Sequence, residues 1–426
     1  MNSSRTVIKK SREKQFDFRD FVLNGKKLPF HERLEDFSDF IKKLKKNKQH
    51  FYRREIISPA DREVLVLDPF TGKPKKMLMF GSNNYLGLAT HPYVREQVKK
   101  TVDNFGVGIG GPSLLNGYTN LMRQLEEQLS DSKKQEDTLI FSSGYNTNTG
   151  LLGGLFGSKE TVFFDEYSHA SFYDGLMLAR VPFVRFEHNN TSRLKYLLSE
   201  KRSASDADKV VGVEGVYSMD GDLAPLDKIV PICKQYGAVL ILDDAHGTGV
   251  MGENGMGTGE FFNLLRDIDI TMGTFSKTFS VTGGFVSSSK PVINYLRYFA
   301  RSYMFSASLP PAILAAVLAG IEVIRREPEL RKRLHENMNY AKKELRKYNM
   351  IGNPRAGIIS LLAPLRMDIR KAALDFHNSG IFLNAIEYPA VPENMQRFRI
   401  SMMSSHTHYD LDRLIECVEK VWSRYV

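Results

Sequence analysis

One lysine of this chain has unusual neighbours. In Gly273-Thr-Phe-Ser-Lys-Thr-Phe-Ser-Val-Thr-Gly-Gly284, the four residues before Lys277 and the seven after it carry no charge. An ammonium there is poorly hydrated, which favours the neutral amine and hence nucleophilic or imine chemistry. An ordinary loop lysine is the plainer alternative. Other polar residues collect at matching places. Asp243-Asp-Ala-His246 follows the apolar run 238–242, and Glu214-Gly-Val-Tyr-Ser218 follows 210–213. Asp165-Glu-Tyr-Ser-His169 follows 161–164, Ser142-Ser-Gly144-Tyr145-Asn146 follows 138–141, and Lys277 itself comes after 268–272. Singly, each has a dull explanation: His169 as a satisfied core histidine, Asp243 as a helix cap. Together they fall at the carboxyl ends of strands, where open α/β sheets bind ligands.

The elements that must position them are short, mostly continuous apolar runs, as in a parallel sheet covered on both faces. Helical stretches such as 121–129 and 171–180 separate them, so the fold class is α/β, with a large doubly wound, mostly parallel sheet. Residues 1–75 are charged, partly helical and without a strand-turn rhythm, and read as an N-terminal arm. Residues 76–309 form the large domain. A helical region opening at Pro310-Pro311 leads a smaller C-terminal α/β domain, 310–426. The run Ala312–Ile321 is too short to cross a bilayer and reads as a buried helix.

Composition excludes several classes. The start, MNSSRTVIKKSREK, has no apolar core and is not a secretory signal. Two cysteines, Cys233 and Cys417, offer neither a disulfide framework nor metal-ligand spacing, so no metal is expected. The net charge of +10 gathers partly in Lys9-Lys10 and in Lys42-Lys43-Leu-Lys45-Lys46-Asn-Lys48. No helix-turn-helix, zinc-finger or RNP-like pattern accompanies it, so nucleic acid is not expected. Acyl-CoA or an anionic membrane satisfies such a cluster equally well. Gly106-Val-Gly-Ile-Gly-Gly111 matches G-x-G-x-x-G, but a helical segment precedes it and Pro112 follows, so it is not a dinucleotide fingerprint. A cytoplasmic protein is expected, with peripheral membrane contact through the arm left open beside a dimer-stabilising role.

The chemistry that uses this set of groups is pyridoxal 5'-phosphate catalysis. The cofactor needs a lysine to form an imine, a carboxylate to keep its ring nitrogen protonated, and a phosphate cradle at a helix N-terminus.

Nine blocks, in order, carry a family resemblance. They are FGSNNYLGLATHP (80–92), LLNGYTNLMRQLEEQL (114–129), FSSGYNTN (141–148), DEYSHASFYDG (165–175), EGVYSMDGD (214–222), LDDAHGTGVMGENGMG (242–257), GTFSKTF (273–279), YMFSASLPP (303–311) and RISMMSSHT (399–407). With them the chain resembles the α-oxoamine synthases, fold-type I pyridoxal phosphate enzymes, and looks nearest to bacterial serine palmitoyltransferases. The resemblance implies that Lys277 forms the imine and removes the Cα proton, while Asp243 pairs with the pyridinium nitrogen. It puts His246 and Ser218 on the ring's phenolic oxygen and His169 on the ring face. Gly144 and Tyr145 would give amides to the phosphate, Thr274 and Ser276 hydroxyls, and Ser306 would reach the phosphate of the partner subunit in a homodimer. Arg399 would bind the substrate carboxylate, with Asn83 and Tyr85 nearby.

The implied reaction is a decarboxylating condensation of an amino acid, serine favoured, with a long-chain acyl-CoA (or acyl carrier protein) thioester, giving a sphingoid-like 3-keto amine. Alternatives are 8-amino-7-oxononanoate synthase, 2-amino-3-ketobutyrate CoA ligase or another amino acid C-acyltransferase. An aminotransferase and a non-catalytic binding module on the same fold are further readings. Two departures bear on specificity: Ser113 stands where related chains commonly carry arginine, and Glu387 where some carry another.

Overall fold

The computed structural model describes residues 18–200 and 208–425; the basic pair Lys9-Lys10 lies outside them. Seven strands form the central sheet: β1 (Asp137–Phe141), β2 (Glu160–Asp165), β3 (Phe183–Phe186), β4 (Asp208–Glu214), β5 (Val239–Asp243), β6 (Ile270–Thr274) and β7 (Gly284–Ser288). Their spatial order is β1-β7-β6-β5-β4-β2-β3, and only β7 runs antiparallel to its neighbours. Helices cover both faces, and the strand interiors are almost wholly apolar because neither face meets water. All five strands expected from apolar runs form within a residue or two at each end. The two that the runs do not reveal are β3, a four-residue edge strand, and β7, whose Gly-Phe-Val-Ser-Ser lacks a continuous apolar signature.

The arm differs from its expectation. Helices Phe18–Asn24 and Phe30–Lys46 are followed by an antiparallel pair, Glu63–Leu67 with Pro74–Met79. The alternation Glu-Val-Leu-Val-Leu buries Val64 and Val66 on one face, the period-two signature of a half-covered strand. Pro74–Met79 then pairs in parallel with Ile381–Phe382, so the arm is stitched to the C-terminal part of the chain. The expected division at 75/76 falls inside that strand. A three-stranded antiparallel sheet places Arg397–Ser401 between Ile358–Leu362 and Asn384–Ile386. The apolar run near 312 lies in the helix Pro311–Arg326, with Leu314 and Val317 fully buried. Among the described residues, no helix is long and apolar enough to cross a membrane.

Buried charge fixes the segments around the sheet. Lys133, at the end of the helix Asn120–Lys133, donates to Asp244 Oδ2 at 2.8 Å and Thr248 Oγ1 at 2.9 Å. Asp244 Oδ1 accepts from the Thr258 amide and hydroxyl at 3.1 and 2.7 Å, so the 244–258 segment is tied at both ends. The same helix buries Glu126, which accepts from the Tyr118 hydroxyl at 2.9 Å. Burial raises the Glu126 pKa from 4.5 to about 7. Between those values the folded chain holds a proton that the unfolded chain has released, so this group's contribution to stability falls as pH rises. Glu126→Gln is therefore expected to match the wild type in thermal melting at pH 5. At pH 8 it should melt several degrees higher, by about 3 kcal/mol at most.

Candidate active site

A cleft of about 250 Å³ opens at the carboxyl ends of the parallel strands. Gly144, Tyr145, His169, Ser218, Asp243, His246, Thr274, Ser276 and Lys277, each expected from sequence, all line it. The topology explains the convergence. Five strand ends point the same way, and each, with the loop that follows, delivers one to three of these residues.

Lys277 lies in the loop joining β6 to β7. Phe275 and Phe279, two residues to either side, are buried, and the Thr278 hydroxyl donates to Thr248 O at 2.8 Å. The loop is thus pinned on both sides of the lysine. Burial lowers the Lys277 pKa, the nearby Arg399 guanidinium lowers it further, and Asp243 and Glu214 oppose the fall. Among the described residues Lys277 forms no ion pair.

Asp243 ends β5 and is 5% exposed. It accepts from Asn148 Nδ2 at 2.9 Å and from the Ala245 amide at 3.1 Å. Burial raises its pKa, and the Asn148 hydrogen bond pulls the other way. Directly opposite in register on β4 stands Glu214, 3% exposed, its Oε1 without a hydrogen-bond partner. Burial and the adjacent Asp243 hold the Glu214 carboxyl well above the usual carboxylate range.

The ends of the cleft differ in character. Ser143 caps the twelve-residue helix Gly144–Leu155, its Oγ accepting from the Asn146 amide at 3.0 Å. The amides of Gly144 and Tyr145 open that helix, at the positive end of its dipole. A Cβ on Gly144 would come within 2.8 Å of Thr274 Oγ1, so only glycine lets the helix terminus approach β6 this closely. Thr274 and Ser276 hydroxyls lie 2.9 Å apart beside it.

Four expected site residues stand behind or away from the cleft wall. Arg399, 5% exposed, donates through Nε to Ser218 O at 2.6 Å, through both terminal nitrogens to Asn83 Oδ1 at 3.1 Å, and to Ser401 Oγ at 2.8 Å. Among the described residues its hydrogen-bond partners are all neutral. Tyr85 is fully buried; its hydroxyl lies 2.7 Å from His246 Nδ1 and 3.2 Å from Asn83 Oδ1. Asn83 and Tyr85 therefore brace Arg399 and His246. Burial raises the Tyr85 pKa to about 12, while burial and the nearby cations push His246 well below its usual value, so its imidazole is neutral. Ser306 lies outside the cleft of its own chain, next to Phe305, which is 72% exposed.

Sequence reasoning assigned no role to Asn148, Ser171 or Glu214, which also line the cleft. A signal existed for Glu214 alone, a lone acid at the end of an apolar strand. The two departures have structural partners. Ser113 donates to Ser308 Oγ at 3.0 Å, holding the 106–117 loop to the 305–310 segment. Glu387 is gripped by Arg370 at 2.8 and 2.9 Å and by the arm's Tyr52 hydroxyl at 2.8 Å.

Fold and site together define a fold-type I pyridoxal phosphate enzyme. The donor set fits that cofactor: an amine of lowered pKa between a buried carboxylate and a glycine-opened helix terminus that leaves room for a phosphate. Residues 75–418 match the family described as aminotransferase class I and II. The chain is 38% identical over 348 residues to 8-amino-7-oxononanoate synthase of Lysinibacillus sphaericus, covering 82% of this chain and 89% of that one. It is 35% identical over 394 residues to serine palmitoyltransferase of Sphingobacterium spiritivorum, covering 92% and 96%. A structure of a serine palmitoyltransferase variant from S. paucimobilis with a bound PLP–myriocin aldimine superposes with a TM-score of 0.85 at 28% identity, covering 93% and 99%. The chain belongs to this family and, within it, to the α-oxoamine synthases; it is a pyridoxal phosphate-dependent acyltransferase.

Gly144→Ala forces Thr274 aside, and cofactor affinity is expected to fall about tenfold or more, read by equilibrium dialysis. An unchanged affinity would show that the phosphate is held elsewhere.

Proposed function

We propose that the enzyme condenses serine with a long-chain acyl-CoA, releasing CoA and carbon dioxide and yielding a 3-keto amine. The observation that carries the amino-acid half is Arg399. It is a buried guanidinium with neutral hydrogen-bond partners, close enough to Lys277 to depress its pKa. An α-carboxylate is the anion such a group lacks. For the acyl half, likeness to serine palmitoyltransferase extends over 92% of the chain, against 82% for 8-amino-7-oxononanoate synthase. A mainly apolar cavity of about 520 Å³ between the arm and residues 385–390, walled by Phe37, Ile41, Ile386 and Pro389 among others, suits a hydrocarbon chain. The second reading, 8-amino-7-oxononanoate synthase activity, is favoured by the higher identity to that relative, 38% against 35%.

Pyridoxal phosphate, when bound, supplies an aldehyde that joins amines and a protonated ring that withdraws electrons from Cα. The residues divide the remaining work. Lys277 would hold the aldehyde carbon of the cofactor, and its amine is the base placed to take the Cα proton. Asp243 would keep the ring nitrogen protonated, while His246 and Ser218 would hydrogen-bond the phenolic oxygen. His169 would lie on the ring face. Amides of Gly144 and Tyr145 and hydroxyls of Thr274 and Ser276 would hold the phosphate. Arg399, braced by Asn83, orients the carboxylate so that the bond to be broken is aligned. Deprotonated Cα attacks the thioester carbonyl, CoA departs, the carboxylate leaves as carbon dioxide, and a proton returns to Cα.

The active unit in this reading is a homodimer, with Ser306 of the partner subunit completing the phosphate site. Phe305, Val107 and Leu115 are 72%, 81% and 79% exposed on adjoining segments, an apolar patch that a second copy would cover.

Three measurements bear on this. Lys277→Ala should lose the cofactor's visible absorbance and at least about a thousandfold of activity. Arg399→Lys should keep the absorbance and raise KM for the amino acid about tenfold or more. A panel of amino acids crossed with acyl-CoA lengths, read by thiol release and product mass, separates the two readings; turnover of alanine but not serine would remove the preferred one. Separately, Leu115→Glu should shift the protein towards monomer in sedimentation and weaken cofactor retention. A stable dimer in that variant would place the subunit contact elsewhere.

A further inference from the structure

Asn148 and Ser171 are each 1% exposed and link the two groups assigned to opposite aspects of the cofactor ring. Asn148 Nδ2 carries two hydrogens, and each has an acceptor: Asp243 Oδ2 at 2.9 Å and Ser171 Oγ at 2.9 Å. The flipped amide would set Oδ1 against a carboxylate that only accepts, so the orientation is determined by Asp243. Ser171 Oγ, having received a hydrogen from Asn148, directs its own to His169 Nδ1 at 2.8 Å. The Ser171 amide reaches the same nitrogen at 3.2 Å. A ring nitrogen that accepts from two donors carries no proton. The imidazole proton is therefore on Nε2, the nitrogen turned away from Ser171.

We propose that Asn148 and Ser171 are positioning residues that set the tautomer of His169 and couple it to the charge on Asp243, so that His169 offers an N–H donor to the bound amino acid. This rests on the reading of Asp243 and His169 as the groups flanking the ring. The chain is directional: a charged Asp243 orients Asn148, Asn148 orients the Ser171 hydroxyl, and the hydroxyl selects the nitrogen. Hydrogen bonds in such a buried series polarise one another, so pairing at Asp243 is felt at His169. Asn148 and Asp243 are 95 residues apart in sequence and Ser171 a further 23 from Asn148, so only the folded sheet joins them.

Holoenzyme labelled with ring-15N histidine tests this by long-range 1H–15N NMR, with His169→Asn supplying the assignment. The wild type should show a pyridine-like Nδ1 and a pyrrole-like Nε2 at His169. Ser171→Ala and Asn148→Ala should move both resonances towards the averaged values of exchanging tautomers. They should also lower kcat/KM for the amino acid about tenfold while cofactor content stays full. Ser171→Thr, which keeps the hydroxyl, should retain the wild-type shifts. A pyrrole-like Nδ1 in the wild type overturns the proposal, as do shifts that Ser171→Ala leaves unmoved. The cofactor reading fails by a different result, no pyridoxyl adduct on Lys277 after borohydride reduction, and the His169 tautomer is still read in that event.

Discussion

A carboxylate buried at the end of a central strand is the constraint on which the rest of the site turns. Asp243 sits where water cannot solvate it, beside a second buried acid, and burial alone would hold it protonated. The Asn148 hydrogen bond favours the charged form, and in the proposed function the cationic ring nitrogen of the cofactor would favour it further. An unpaired buried charge is costly, whereas a paired and hydrogen-bonded one is tolerated. The site is therefore built for its cofactor in an energetic sense. Glu214, one strand away, is held well above the usual carboxylate range by burial and by Asp243.

The same economy of charge appears at Lys277 and Arg399. Both lie in a buried region, and the guanidinium makes the charge on the lysine less favourable. Hydrogen bonds to Ser218, Asn83 and Ser401 fix the guanidinium in place, while burial and that guanidinium lower the pKa of the lysine. An amine of lowered basicity then stands beside a fixed guanidinium, an arrangement that in the proposed function would serve linkage to an aldehyde on one side and capture of a carboxylate on the other. His246 is neutral for the same reason, and the Tyr85 hydroxyl against its Nδ1 fixes which way the ring faces.

Rigidity around the cleft comes from pairs that take no part in chemistry. Lys133 and Asp244 lock the segment after Asp243, and Thr278 with Phe275 and Phe279 locks the loop of Lys277. His188 bridges Asp165 and Asp222 at 3.0 and 2.9 Å, tying the loop that carries His169 to the loop that carries Ser218. Burial lowers the His188 pKa, but the two carboxylates outweigh it and raise the value to about 10, so the bridge is a charged one throughout the neutral range. Near the arm, Glu387 joins Tyr52 to Arg370 and is thereby occupied as a structural acid.

By itself the sequence determined the α/β class, the five parallel strands and the residues at their ends, because apolar runs and the polar residues that follow them are local properties of the chain. It also exposed the uncharged setting of Lys277 and, through ordered motif blocks, the family. Tertiary structure decided what depends on distance. The antiparallel β7 has no strand signature of its own and exists because β1 and β6 flank it; the strand Glu63–Leu67 is a short apolar run within a charged arm, whose alternating burial comes from partners at 74–79 and, through them, at 381–382. Asn83 and Tyr85, expected near the substrate, hydrogen-bond to Arg399 and His246 far along the chain. Asn148 and Ser171 acquire their significance only when the sheet brings Asp243 and His169 to one rim. A hydrogen bond needs its partner within about 3 Å, and no pattern in the chain records which residues, a hundred positions apart, the fold will place that close.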